Sequence, residues 1–257
     1  MIYLDNAETT PLDPEVAKIV LGYMVEKFGL PGGEFGYTLQ EEATEAVEKA
    51  REVIAAKIGA KPSEIVFTSG ATESNNLAIK GVAYHPLLKK KKVITSAIEH
   101  RSVLDTALNL RRLGYEVEVI PVDSEGFVKM DRLEASLNGA ALVSIQHANQ
   151  EIGTLQDIKA IGELCRERGV LFHTDAAQSF AKEQIDVEAM KIDLMSITSH
   201  LIHGPKGVGA LYVREGVELQ PLIEGDGRER GLRAGSPNVP GIVGFAEAVK
   251  RTSPEDA

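Results

Sequence analysis

The chain is short of sulfur, of large aromatics and of positive charge. Among 257 residues there is one cysteine, Cys165, and no tryptophan, and aromatic residues make up 5%. A single thiol forms no intrachain disulfide, which excludes the disulfide-stapled secreted class. Lys and Arg number 28 against 38 Asp and Glu, a net charge of −10, and such a surface repels a polyanion, so no nucleic-acid partner is expected. No apolar run approaches the ~20 residues that cross a bilayer. Nothing near Met1 reads as a basic stretch followed by an apolar core and a cleavage site. A cytoplasmic protein without a membrane partner is the expectation. Internal repeats and long low-complexity stretches are also missing. The run Lys89 to Lys92 reads as a solvated helix end or loop.

What is present is ordinary in bulk: 43% hydrophobic and 26% charged residues, the balance of a soluble globular chain. Asp13 and Pro14 open a helix whose stripe is Val16, Ile19, Val20, Tyr23 and Met24, ending by Gly29. Thr38 and Glu41 stand in capping-box register before a second helix, with Ala43, Ala46, Val47, Ala50, Val53, Ile54 and Ile58 on one face. From Glu64 onward, short apolar runs alternate with helix-length segments. The predicted strands are Ile65–Thr68, Val93–Ser96, Val117–Val122, Leu142–Gln146, Val170–Thr174, Leu194–Ile197 and Gly209–Val213. Near-continuous apolar strands alternating with helices predict an α/β fold, a mainly parallel sheet covered on both faces.

In such a sheet, ligands bind beyond the carboxyl ends of the strands. Five predicted strands deliver polar groups there: Ser69-Gly70-Ala71-Thr72, Glu99-His100, His147-Ala148-Asn149-Gln150-Glu151, Asp175 with Gln178, and Thr198-Ser199-His200. The glycine turn at Gly70 opens a helix, whose free N–H groups and dipole favour an anion. A ring at His100 to stack and a carboxylate at Asp175 to hold a ring nitrogen protonated complete what a phosphorylated pyridine requires. Gly204-Pro205-Lys206-Gly207 is no nucleotide loop, because it lacks the two-glycine frame and a Ser or Thr after Lys206. A metal site built from His200 and His203 with His100, His147 or His173 is not expected either, since the pair follows a strand rather than sharing a helix face.

These pieces resemble the class V aminotransferase family of pyridoxal-phosphate enzymes, specifically the cysteine desulfurases. The likeness rests on Tyr3-Leu4-Asp5-Asn6-Ala7-Glu8-Thr9-Thr10-Pro11, Phe67–Asn76, Ile98-Glu99-His100, Ala148–Thr154, Gly204–Leu211 and Arg233-Ala234-Gly235-Ser236. The resemblance implies the aspartate-aminotransferase-like large domain, with residues 60–257 forming it and residues 1–59 packing on it as a helical segment. It implies a pyridoxal phosphate site formed by Ala71, Thr72, His100, Asn149, Asp175, Gln178, Thr198 and His200. Ser236 is implied to reach the phosphate of the partner subunit in a homodimer.

The sequence also departs from that pattern. The family's Schiff-base lysine follows the histidine of the sixth-strand motif, and that position is Leu201, which has no amine. Lys206 stands five residues on. The smaller C-terminal domain, with the sulfur-accepting cysteine and the substrate-binding arginine, is expected to be absent. Cys165 does not replace that cysteine, because it shares a helical stripe with Ile158 and Ile161. Glu8 takes the place of an alanine, Gln150 of an asparagine, and the stretches Phe28–Glu34 and Gly225–Arg228 depart from active-site segments. The expectation is a degenerate desulfurase-like protein of iron-sulfur or sulfur metabolism, binding pyridoxal phosphate at most non-covalently. Its expected partners are a second copy, a complete desulfurase, a separate C-terminal chain or a sulfur-acceptor scaffold. The alternative is an active lysine-less enzyme using pyridoxamine phosphate, with His200 or His203 as base.

Overall fold

The computed structural model describes residues 2–32, 36–87 and 89–252. Gly33 and Glu34, which belong to one of the departing loops, lie outside the described residues. In chain order the elements are α1 (Pro14–Val25), α2 (Thr38–Lys57), β1 (Ile65–Thr68), α3 (Ala71–Ala83), β2 (Lys92–Ser96), α4 (Arg101–Leu110), β3 (Glu116–Ile120), α5 (Met130–Ser136), β4 (Ala140–Ser144), α6 (Ile158–Glu167), β5 (Leu171–Asp175), β6 (Leu194–Thr198), β7 (Gly209–Val213) and α7 (Val239–Arg251).

All seven strands form one sheet in the order β1-β7-β6-β5-β4-β2-β3. Only β7 runs against its neighbours, so six carboxyl ends share one edge. Both faces are covered, and the alternation within β1 and β6 shows why those runs are largely apolar. Ile65 and Phe67 of β1, and Met195 and Ile197 of β6, join the core beneath α1, α2, α6 and α7. Val66 and Leu194, pointing the other way, join the core beneath α3 and α4. A strand buried on both faces has no polar period to show.

Several local expectations change. Thr38 does not cap α2: the cap position is Tyr37, with no side-chain bond, so Thr38 is already the first helical residue. Instead Gln40 Oε1 reaches back to accept from the Gly36 N–H at 3.1 Å. Asp13 does cap α1, accepting from the Glu15 and Val16 N–H groups. The α1 stripe is only partly buried, with Val16 inside, Val20 and Tyr23 packed against the core, and Met24 63% exposed beside Leu21, Val25 and Phe28. Lys92 is no loop lysine. It begins β2 and lies between Glu116 and Glu118 of β3, at 3.3 and 2.7 Å.

The start of β7 passes against the turn that follows β1. A Cβ on Gly209 would stand 2.7 Å from Gly70 Cα and 2.6 Å from the Ile197 carbonyl oxygen, both backbone. Gly209→Ala is therefore expected to destabilise the fold by about 2–3 kcal/mol through overpacking, read as a lowered urea midpoint at unchanged slope. An unchanged midpoint would show that the turn yields freely.

Candidate functional site

Beyond the shared strand ends lies a cavity of about 780 Å³. Ser69, Gly70, Ala71 and Thr72 line it from the β1–α3 turn, Glu99 and His100 from beyond β2, Gln146, Ala148, Gln150 and Glu151 from beyond β4, Asp175 and Gln178 from the end of β5, and Thr198, His200, Leu201 and Lys206 from beyond β6. The rim expected from the sequence thus exists. Ala7, Glu8 and Thr9 close it from the N-terminal side.

The anion end is built from backbone. Gly70 stands at φ 152°, a conformation suited to glycine, and is the cap of α3. The N–H groups of Ala71, Thr72 and Glu73 open the helix and have no carbonyl within it to bond. Glu73 Oε2 accepts from the Ser69 N–H at 2.8 Å, and Arg233 neutralises Glu73 at 3.1 Å. Thr198 Oγ1 is buried beside this turn without a hydrogen-bond partner. A buried hydroxyl facing a free helix N-terminus is a site short of an acceptor, and a phosphate supplies one.

At the other end a relay runs inward from His100. The Ser102 N–H donates to His100 Nδ1 at 3.1 Å, so that nitrogen is an acceptor and the neutral ring carries its proton on Nε2. Ser102 Oγ bonds the same Nδ1 at 2.7 Å and accepts from Asn75 Nδ2, which also donates to Asp175 Oδ2 at 2.7 Å. Asp175 Oδ1 accepts from the Ala177 N–H at 2.9 Å, and no helix follows, so the carboxylate caps a turn rather than a helix. Burial raises its pKa, and these hydrogen bonds partly offset the rise. Glu99 is more extreme: burial pushes it up to about 8, against hydrogen bonds from Ser96 and the Gln146 N–H.

The N-terminal segment is strapped over the Leu201 turn. Thr10 Oγ1 donates to the His200 carbonyl and accepts from the His203 N–H, each at 2.8 Å. Gln178 Nε2 donates to the Ala7 carbonyl at 2.8 Å, and His200 Nδ1 meets Thr9 Oγ1 at 3.2 Å. Leu201, 4% exposed, presents an apolar side chain to the cavity. Burial and the nearby Lys206 lower the pKa of His200.

Other expected residues stand elsewhere. Asn149 spends its carboxamide on the Ile98 carbonyl and on the N–H groups of Glu151 and Ile152, and does not line the cavity. His203, at φ 61°, is exposed and bonds the Pro11 carbonyl through Nδ1 at 2.9 Å, away from the cavity. Ser236 lines a neighbouring hollow of about 300 Å³ with Arg51, Glu229 and Arg233. His173 is held by Ser144 and Ser196, and His147 by Ser179. Among the described residues no three His, Cys, Asp or Glu side chains converge on a point. Cys165 is buried and its thiol pushed up to about 12, first by burial and then by Asp193.

Sequence reasoning passes over Ser102 and gives Asn75 no role. A signal exists for Asn75, a carboxamide in the same helical stripe as Ala78, Ile79 and Val82.

The residues present fit a phosphorylated pyridine: a phosphate cradle with an unpartnered hydroxyl, an imidazole, and a buried carboxylate on a supporting amide. Comparison with known proteins agrees. The Aminotransferase class-V family profile matches residues 2–254. Cysteine desulfurase IscS of Neisseria meningitidis is 50% identical over 255 residues, 97% of this chain and 62% of the relative. The mitosomal cysteine desulfurase of Encephalitozoon cuniculi is 51% identical over 260 residues, 99% of this chain and 60% of the relative. A solved structure of SspA in complex with cysteine superposes with a TM-score of 0.93 at 44% identity, covering 98% of this chain and 73% of that one. The chain thus spans about three-fifths of the length of these curated relatives. It belongs to the class-V aminotransferase family.

Proposed function

We propose that this chain is a desulfurase-like pyridoxal-phosphate binder of sulfur or iron-sulfur metabolism that holds its cofactor without a covalent bond at position 201, and serves a regulatory or scaffolding role. The observation that carries this reading is Leu201: an apolar side chain lines a cavity whose phosphate cradle, imidazole and buried carboxylate are all in place. When bound, the cofactor supplies an electron sink for carbanion chemistry. The chain's own groups have separate tasks. Ala71, Thr72 and Thr198 bind phosphate, His100 packs on the ring, Asp175 holds a proton on the ring nitrogen, and Asn75 orients Asp175. Charge-assisted hydrogen bonds of ~1.5–3 kcal/mol each are enough to retain a small anion without covalent help.

A homodimer is part of the reading, with exposed Ser236 reaching the partner's phosphate. A complete desulfurase, a chain carrying the remaining two-fifths of the relatives' length, or a sulfur-acceptor scaffold are the further partners proposed. His200 favours a second reading, an active lysine-less enzyme, because its lowered pKa leaves a neutral imidazole beside Leu201. The test is an absorbance spectrum and intact mass, before and after borohydride, on protein incubated with pyridoxal phosphate and desalted. A retained chromophore without covalent mass is expected, and no retained chromophore would overturn the reading. Asp175→Asn, which keeps shape and loses charge, is expected to weaken cofactor affinity at least tenfold by titration calorimetry.

A further inference from the structure

The cavity's charges are unevenly satisfied. Asp175 is bonded by Asn75 and Ala177, Glu99 by Ser96 and Gln146, and Glu73 by Arg233. Glu8 differs. Among the described residues its carboxylate is in no hydrogen bond or ion pair, which among the lining carboxylates it shares with Glu151, and it stands between Ala7 and Thr9 on the side of Leu201 and acts on His200 through space. Its neighbours are tied down, Ala7 by Gln178 on its carbonyl and Thr9 by His200 on its hydroxyl, while Glu8 itself is exposed. That wall of the cavity therefore offers an unpaired carboxylate and an apolar side chain, and no amine from position 201. The lining cations are Arg101, which opens α4, and Lys206, whose charge also acts on His200.

Resting on the cofactor site proposed above, we infer that Glu8 makes the pocket selective for a phosphopyridine that brings its own ammonium group. The ligand class is an aminomethyl phosphopyridine, with pyridoxamine 5′-phosphate as the simplest member, in preference to the aldehyde or the alcohol. The phosphate occupies the α3 end beside Thr198, and the aminomethyl group faces Glu8 over Leu201. A carboxylate opposite an ammonium is a matched pair, whereas an aldehyde or alcohol leaves Glu8 facing a neutral group. No bond is made or broken in this recognition.

The test is titration calorimetry of the full chain, near neutral pH and at low salt, with pyridoxamine 5′-phosphate, pyridoxal 5′-phosphate and pyridoxine 5′-phosphate. Pyridoxamine phosphate is expected to bind about fivefold more tightly than pyridoxine phosphate, ~1 kcal/mol, the upper end for an exposed ion pair. Glu8→Gln is expected to remove that preference while leaving pyridoxine phosphate affinity unchanged, and added salt is expected to shrink it in the unaltered chain. Equal affinities in the unaltered chain, a preference that survives E8Q, or tighter binding of the aldehyde through a borohydride-fixed bond to Lys206 would each overturn the inference alone. Failure of all three ligands to bind would overturn the cofactor reading and the inference with it.

Discussion

Leu201→Lys is expected to turn a chain that gains no covalent mass with pyridoxal phosphate and borohydride into one in which most molecules do. The side chain at this position already lines the cavity and is 4% exposed, so the replacement amine starts inside the site rather than searching for it. The turn that carries it is held from outside by Thr10, whose hydroxyl bonds the His200 carbonyl and the His203 N–H, and neither contact involves the 201 side chain. Two local effects set how readily the amine loses its proton. Burial favours the neutral amine that attacks an aldehyde, whereas Glu8 favours the ammonium. The double variant L201K/E8Q is accordingly expected to react faster than L201K at neutral pH. Exchange of a buried leucine costs up to ~2 kcal/mol of stability, so a thermal scan accompanies the mass measurement. Peptide mapping that places the adduct at position 201, with no adduct in the unaltered chain, is the expected result. A folded L201K chain without adduct would show that the cavity does not present an aldehyde to this wall, and the assignment of the phosphate to the α3 end would fall.

Much of this arrangement is legible in the amino-acid sequence alone. Six of the seven strands are buried along nearly their whole length and read as short, largely apolar runs between glycine turns and helix starts, whereas the edge strand β3 alternates, with Glu116 exposed and Glu118 half-buried. The rim of the site follows, since strand ends in a nearly parallel sheet must share an edge. What a sequence reading misplaces depends on turns and on neighbours distant in the chain. Asn149 and His203 are both polar residues after a strand. A turn curls the Asn149 carboxamide back onto its own backbone, and a left-handed residue swings His203 out to Pro11. Thr38 sits one residue too far into α2 to cap it. Met24 follows helical periodicity yet is exposed, because α7 covers only the Val16 and Val20 side of α1. The protonation of Glu99 is least legible of all, as it arises from burial, with the Asp175 carboxylate at the end of β5 adding to it from far along the chain.

That protonation predicts a stability profile with an unusual slope. Glu99 is 7% exposed, with a pKa of about 8 against roughly 4.3 in an unfolded chain, so the folded protein keeps a proton that the unfolded one releases. A raised carboxyl pKa makes folding weaken as pH rises through the interval between the two values, by up to about 1.4 kcal/mol per unit. His173 acts oppositely in acid. Its pKa is pushed down to about 3 by burial, and its stabilising effect is lost as pH falls below roughly 6.5. Between about pH 4.5 and 6.5 the Glu99 slope is opposed by that of His173, with His147 and His200, also lowered by burial, on the histidine side, and from about 6.5 to 8 Glu99 acts with no opposing histidine. Urea denaturation is therefore expected to show a loss of about 2 kcal/mol across that upper interval. In Glu99→Gln the loss should vanish: an amide does not titrate, and its carbonyl oxygen can accept from the Ser96 hydroxyl and the Gln146 N–H as Glu99 Oε1 does. The same variant unmasks His173, so on acidification below about pH 6.5 it should lose more stability than the unaltered chain does. If the unaltered chain is flat between about pH 6.5 and 8, Glu99 is ionised in the folded state, and the cavity carries one more negative charge than a protonated Glu99 leaves it.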